Sequence, residues 1–400
     1  DKEKIKTMLD NPNSLYRLLV EKPSEEMIDS VVSLKLPGID ITSKDYREYP
    51  FQGLAAQIIG FVGVNTDHPV PTGLYGLEKL HNQTLKENQD LELTIDRNIQ
   101  AESEAILEKI MTDYNAVQGT VIVMEPKTGK ILSLANSPSF DPNNYKKSEI
   151  ANFLNSAVQS LYEPGSVFKP ITMAAGIDAG VITPETTFFD KGSVTLNEKT
   201  ITNWDHKAYG KTTMTTVIEK SINTGAVFAV QKIGRAAFLS YLKKFGFDEI
   251  TEIDLPDEIN GNIRSLERKN TPEIDLATAS FGLGIAVTPI ELIRAFGVFA
   301  NGGFLVRPYL NTEEKPKTFR RVLSEDTAKK ITSMMESAVS KAGVASMPQY
   351  RLAGKTGTAQ IADLKRGGYL EEYTHTFIGF GPVSDPKFVA LIKVEKPKAA

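Results

Sequence analysis

Residues 163–170 read EPGSVFKP, a serine behind Pro-Gly with a lysine three positions further on. Pro164-Gly165 favours a sharp turn, and the run VFKPITMAAGIDAG (167–180) reads as a helix. Pro170 would clash with a helical carbonyl at position 166, so the helix is expected to begin close to Ser166. Positions i and i+3 then share a helix face, which brings Lys169 within reach of the Ser166 hydroxyl. The Ser166 N–H lies at the positive end of the helix, ready to donate to an oxyanion. The Gly165 turn leaves room for a substrate. A serine hydroxyl needs a base to attack a carbonyl, and a lysine serves once burial or a nearby positive charge has removed its proton.

The spacing alone is weak, because Ser-x-x-Lys occurs three times, at Ser166–Lys169, Ser240–Lys243 and Ser384–Lys387. Ser384–Lys387 spans a turn explained by Asp385-Pro386. Ser240–Lys243 lies beside an apolar stripe of Leu239, Leu242 and Phe245 and reads as a solvated helix face. Only Ser166 has the turn-then-helix context. Ser221-Ile222-Asn223, the sole Ser-x-Asn, falls between two helical runs and by itself reads as a cap or turn. Lys-Thr-Gly occurs twice. Lys127-Thr128-Gly129 is a hairpin turn. Lys355-Thr356-Gly357-Thr358 sits inside an alternating strand, where a glycine marks close approach by a ligand or another backbone. The Thr358 and Ser166 N–H groups are candidates for a two-donor oxyanion hole, and Lys355 brings a second positive charge.

Further out, LELTI (91–95) alternates like a strand. The run that follows carries Ile99, Ala105, Ile106 and Ile110 at helical spacing behind Asp96 as N-cap. Residues 119–136 form a strand hairpin about Pro126-Lys127-Thr128-Gly129. Residues 151–300 read as mostly helical, with irregular loops at 183–213 and 254–272. Three strands follow from about 350, with VSDPK as the turn between the last two. The fold class is α+β, the late strands pairing with the early hairpin in one antiparallel sheet.

Composition narrows the chemistry. The 400 residues suggest two or three domains, and 41% apolar content supplies a sizeable core. A net charge of −4 without a long basic block argues against nucleic acid as a partner. With no cysteine there is no disulfide, thiol nucleophile or thiolate metal site. His68, His81, His206 and His375 are scattered and read as structural or exposed, so no metal is expected. No apolar run reaches the roughly 18 residues of a membrane-spanning helix.

In chain order the elements are Ser-x-x-Lys, Ser-x-Asn and Lys-Thr-Gly-Thr, a set shared by penicillin-binding proteins and class A β-lactamases. The sequence resembles the class B penicillin-binding proteins, membrane-anchored D,D-transpeptidases of bacterial cell-wall synthesis. REYPFQGLAAQIIGFVG (47–63) and GLYGLEKLHNQTL (73–85) look like the family's non-catalytic pedestal domain. LELTIDRNIQ, VIVMEPKTGKILSLANSPSFDPN, YEPGSVFKP, SFGLGIAVTP, FANGG and RLAGKTGTAQ look like its transpeptidase domain. SINTGAVFAVQKIG is similar to the division and sporulation branch. Gly282-Leu283-Gly284 is outside any strand–helix nucleotide unit and is not read as a phosphate loop. Leu283 stands where many relatives carry a polar residue. The family's opening membrane helix and its closing helix are not matched, so both ends look truncated.

The resemblance implies an antiparallel five-stranded-type sheet flanked by helices, as in serine β-lactamases, plus a smaller pedestal. The pedestal is expected at 1–90 and the transpeptidase domain at 91–400, lacking its C-terminal helix. It implies Ser166 as nucleophile, Lys169 as base, Ser221 or Lys355 delivering a proton to the leaving group, and Asn223 binding the substrate amide and orienting Lys169. Thr356, Gly357 and Thr358 would form the substrate-binding strand, with the two threonine hydroxyls on the terminal carboxylate. The implied ligands are D-Ala-D-Ala stem peptides and β-lactams, without a cofactor. The implied partners are a membrane glycosyltransferase and other cell-wall proteins, at the extracytoplasmic face of the membrane. A serine β-lactamase is the alternative, but its Glu-x-x-Leu-Asn pattern is approached only by Glu252-Ile-Asp-Leu-Pro256. A β-lactam sensor or scaffold that acylates without turnover is the other.

Overall fold

The structure, a computed structural model, describes residues 2–10, 16–21, 23–43, 46–64, 70–343, 345–347, 349–363 and 366–398. His68 lies outside them. The chain divides into two units, Asp1–Glu48 and Tyr49–Ala400. The first contains helices Lys2–Leu9 and Glu25–Ser33, the latter capped by the Ser24 side chain, which accepts from the Met27 N–H.

The second unit is built on one five-stranded antiparallel sheet. Its strands are β1 (Gln118–Met124), β2 (Ile131–Ser137), β3 (Ala353–Ala362), β4 (Tyr369–Gly381) and β5 (Phe388–Glu395), in spatial order β3-β4-β5-β1-β2. The expected pairing of late strands with the early hairpin is present: Leu391 of β5 lies opposite Ile122 of β1. Alternation divides the side chains between two faces. Ile122, Met124, Leu134, Ile378 and Leu391 belong to the main core, while Val121 and Ala135 join Leu107 of helix α1 (Arg97–Asp113) in a smaller one. Each such Val, Leu, Ile or Met side chain taken from water contributes roughly 1.5–3 kcal/mol.

The main core also holds helix α2 (Lys169–Asp178) and helix α5 (Pro289–Ala300), both buried along nearly their whole length. A helix apolar on every side belongs inside the protein. Lys169 begins such a helix and is therefore carried inside with it. Helices α3 (Met214–Lys220) and α4 (Asn223–Ile233) follow α2 in the chain, and α6 (Glu325–Ala342) packs against α3 and β3.

Three expectations are corrected. LELTI forms no strand, only one isolated bridge between Leu93 and Asn311. Helix α1 has the predicted Asp96 cap, but Ile106 is exposed and the buried face is Gln100, Ser103 and Leu107. The reason is hydrogen bonding: the Gln100 amide donates to Leu134 O at 3.0 Å and accepts from Leu134 N at 2.8 Å, pairing the edge strand β2 as another strand would. Residues 183–213 are not irregular but contain two ribbons, Thr187–Asp190 with Gly210–Thr213 and Ser193–Leu196 with Lys199–Thr202. Phe61 stacks on Tyr145 at 4.2 Å and meets Phe140 and Phe153 edge-on, which ties residues 49–90 into the second unit.

Candidate active site

Ser166 occupies a 3-10 turn, Gly165–Phe168, that runs directly into α2. Gly165 has φ +61°, and a Cβ there would sit 3.0 Å from the Ala359 Cβ, so the turn needs glycine. Gly357 of β3 has the matching role: its missing Cβ would lie 2.9 Å from Val167 and 3.0 Å from Pro164 O. The close backbone approach expected at Gly357 is therefore the packing of β3 on the turn that carries Ser166. Behind the turn, Gly165 N donates to Gly282 O at 3.0 Å, and Gly284 N donates to the Glu163 carboxylate at 2.8 Å. The Gly282-Leu283-Gly284 stretch thus backs the turn.

The three sequence elements meet at Lys169 Nζ. It lies 2.9 Å from Ser166 Oγ, 2.6 Å from Ser221 O, 3.1 Å from Ser221 Oγ and 2.8 Å from Asn223 Oδ1. An uncharged amine has two N–H donors and one lone pair. Ser221 O and Asn223 Oδ1 can only accept, so they take the two N–H groups. The lone pair is left for a hydroxyl, and Ser166 Oγ is the nearer of the two. The side chain is fully buried, and burial, followed by the charge of Lys355, holds its pKa well below the usual lysine range.

Ser221 sits where α3 ends and α4 begins, as the sequence suggested, with φ +57°. This left-handed conformation is uncommon for a serine and is held here by its surroundings. Its hydroxyl lies 3.1 Å from Lys355 Nζ as well as from Lys169 Nζ, bridging the two lysines. Lys355 also donates to Thr356 O at 2.9 Å, and burial pushes its pKa down to about 8. At neutral pH it stays mostly cationic. Strand alternation turns Lys355 and Gly357 inward and Thr356 and Thr358 outward, so the two hydroxyls share an exposed face. The remaining copies of the motifs stand apart: Lys127 pairs with Asp385, and Lys243 with Glu267.

Two features were not anticipated. His375 lies opposite Thr358 on β4, its Nδ1 3.3 Å from Thr358 Oγ1. The hairpin register carries that signal, but reading it requires knowing where β3 and β4 pair. The other is the ribbon at 183–213, whose Thr202 carbonyl accepts from Asn223 Nδ2 at 2.9 Å. Glu252, the nearest approach to a deacylating glutamate, pairs with Lys317 at 2.5 Å, both half-exposed, and has no part in this cluster.

A buried lysine between a serine and a second hydroxyl, with a cation behind it, is an arrangement suited to acyl transfer through serine. Residues 119–400 match the family described as the penicillin binding protein transpeptidase domain. The chain is 32% identical to stage V sporulation protein D of Bacillus subtilis over 94% of its own length, and spans 64% of that relative. It is 28% identical to the peptidoglycan D,D-transpeptidase FtsI of Escherichia coli K12, covering 97% of this chain and 69% of that one. A solved structure of penicillin binding protein 3 from Mycobacterium tuberculosis, complexed with aztreonam, is similar at TM-score 0.76 and 26% identity. The match covers 89% of this chain and 86% of that one. The chain belongs to the penicillin-binding protein transpeptidase family. Its relatives place it with the class B members of the division and sporulation type, among them proteins named as peptidoglycan D,D-transpeptidases.

Proposed function

We propose that this chain carries out D,D-transpeptidation of peptidoglycan stem peptides through an acyl-Ser166 intermediate. The observation that carries the reading is the Lys169 amine, buried, 2.9 Å from Ser166 Oγ, with acceptors on its two N–H groups. Ser166 Oγ attacks the carbonyl of the penultimate D-Ala while Lys169 takes its proton. The oxyanion is held by the Ser166 and Thr358 N–H groups. The C–N bond breaks, and the proton reaches the departing D-Ala amine through Ser221, which bridges Lys169 and Lys355. An amine of a neighbouring stem peptide then attacks the ester, restoring the Ser166 hydroxyl. Positioned acid–base groups contribute roughly 10²–10⁴-fold and an oxyanion donor roughly 10²–10³-fold.

Thr356 and Thr358 hold the terminal carboxylate with their exposed hydroxyls, and Lys355 supplies the charge. One Asn223 N–H is given to Thr202, and the other is left for the substrate amide. β-Lactams acylate the same serine, their strained amide standing in for the D-Ala-D-Ala bond. In this reading residues 1–90 serve as pedestal and 91–400 as the catalytic domain. The working location is the extracytoplasmic face of the membrane beside a glycosyltransferase. Among the described residues no helix is long and apolar enough to cross a membrane.

Incubation with a stem pentapeptide and an amine acceptor, followed by mass spectrometry, tests the reading. D-Ala release with a new amide product from the wild type, and neither from Ser166→Ala, is expected. Equal turnover by Ser166→Ala would overturn it.

A further inference from the structure

The excursion at 183–213 ends in a buried network that reaches the active-site amide from behind. Asp190, at the end of its strand, is 1% exposed, and its carboxylate receives four donors. Oδ1 accepts from Thr224 Oγ1 at 2.6 Å and from Gly192 N at 2.8 Å. Oδ2 accepts from Asn203 Nδ2 at 2.8 Å and Tyr209 N at 2.9 Å. Asn203, equally buried, accepts at Oδ1 from Thr224 N at 3.3 Å. Two residues touched by this network are neighbours of the site. Thr224 follows Asn223 in the first turn of α4, and Thr202 precedes Asn203 and takes the Asn223 Nδ2 proton.

A primary amide fits its pocket either way round unless its partners differ in kind. Here they do. The Thr202 carbonyl can only accept, so it selects the Nδ2 end and leaves Oδ1 facing Lys169 at 2.8 Å. Turned over, the amide would present donors to Lys169 and consume the lone pair that Ser166 needs. We infer that Asp190 is a positioning residue: through Asn203, Thr224 and the Thr202 carbonyl, it fixes which end of the Asn223 amide meets Lys169. The ribbon is therefore part of the acylation machinery at one remove. This inference rests on the acyl-serine reading above.

The test is acylation by benzylpenicillin, followed by intact mass across a range of drug concentrations to separate the binding constant from the acylation rate. The proteins are wild type, Asp190→Asn, Thr224→Val and Thr224→Ser, each with a melting curve. Small displacements of catalytic groups cost up to roughly 10²-fold. The acylation rate is expected to fall roughly 10- to 100-fold in Asp190→Asn and about tenfold in Thr224→Val, with binding unchanged. Thr224→Ser, which keeps the hydroxyl, is expected to restore the rate. Should Asp190→Asn fail to fold, the Thr224 pair decides. Wild-type acylation rates in the variants, with only the melting temperature lowered, would overturn the inference, as would a loss confined to binding. A wild type that forms no adduct would instead bring down the acyl-serine reading and this inference with it.

Discussion

Two Ser-x-x-Lys pairs in this chain have the same spacing and opposite chemistry. Lys243, on the helix Arg235–Lys244, has a side chain 44% exposed beside Glu267 at 2.7 Å and Asp248 at 3.4 Å. Its hydrogen bond to Glu267 is the main cause of a pKa raised above the ordinary lysine value. Lys169 has no carboxylate beside it among the described residues, is fully buried, and is pushed the other way. The helix under Lys243 is amphipathic, so its polar face meets water. Helix α2 is apolar on every side, so its one lysine does not. Spacing brings a serine and a lysine together; burial and the neighbouring charge lower the lysine's pKa.

The largest effect that tests this contrast is Ser166→Ala, which should abolish the penicilloyl adduct in an intact-mass experiment. Next, Lys169→Ala should slow acylation roughly 10²–10⁴-fold, measured as the second-order rate with benzylpenicillin. Adduct formation surviving at the wild-type rate would remove Lys169 as the base. Lys355→Ala should reduce acylation efficiency roughly 10- to 100-fold, the scale of one hydrogen bond to a charged group. Its pH profile sharpens the comparison. Lys169 is a base only when neutral, so the wild-type rate should be lost as pH falls through its depressed pKa. Lys355 binds a carboxylate only when charged, so efficiency should also decline as pH rises past about 8. In Lys355→Ala the upper limb should vanish, and the lower limb should move to higher pH because a repelling charge has gone. A lower limb that stays in place would mean that burial alone sets the Lys169 pKa. The smallest effect is Lys243→Ala, which should leave both acylation rate and melting temperature unchanged within error.

Much of the site was legible because local chemistry forced it. Pro170 fixes where α2 begins, Gly357 marks a strand crossed closely by another segment, and Ser221 falls between two helical runs. The five-stranded sheet was legible because its strands alternate or are apolar throughout. The ribbons at 183–213 were not, for a physical reason. Each of their strands has four residues with little buried apolar surface, so no periodicity stands out. Their tightest turn, Asn197-Glu198, has φ +45° and +64°, the geometry in which Asn-Gly is the usual signal. Glutamate in the second position hides it. Helix α1 was misread for a related reason: its buried face is chosen by the Gln100 amide rather than by isoleucines. His375 and Asp190 act at a distance in sequence from the residues they touch, and no local pattern reports such contacts.

The most direct measurement is the intact mass of wild type and Ser166→Ala after benzylpenicillin, followed over time. The account predicts a penicilloyl adduct on the wild type that persists for the length of the experiment, and none on Ser166→Ala. An adduct on both proteins, or none on either, would contradict Ser166 as the nucleophile. An adduct quickly lost with release of hydrolysed penicillin would contradict the transpeptidase reading in favour of a β-lactamase.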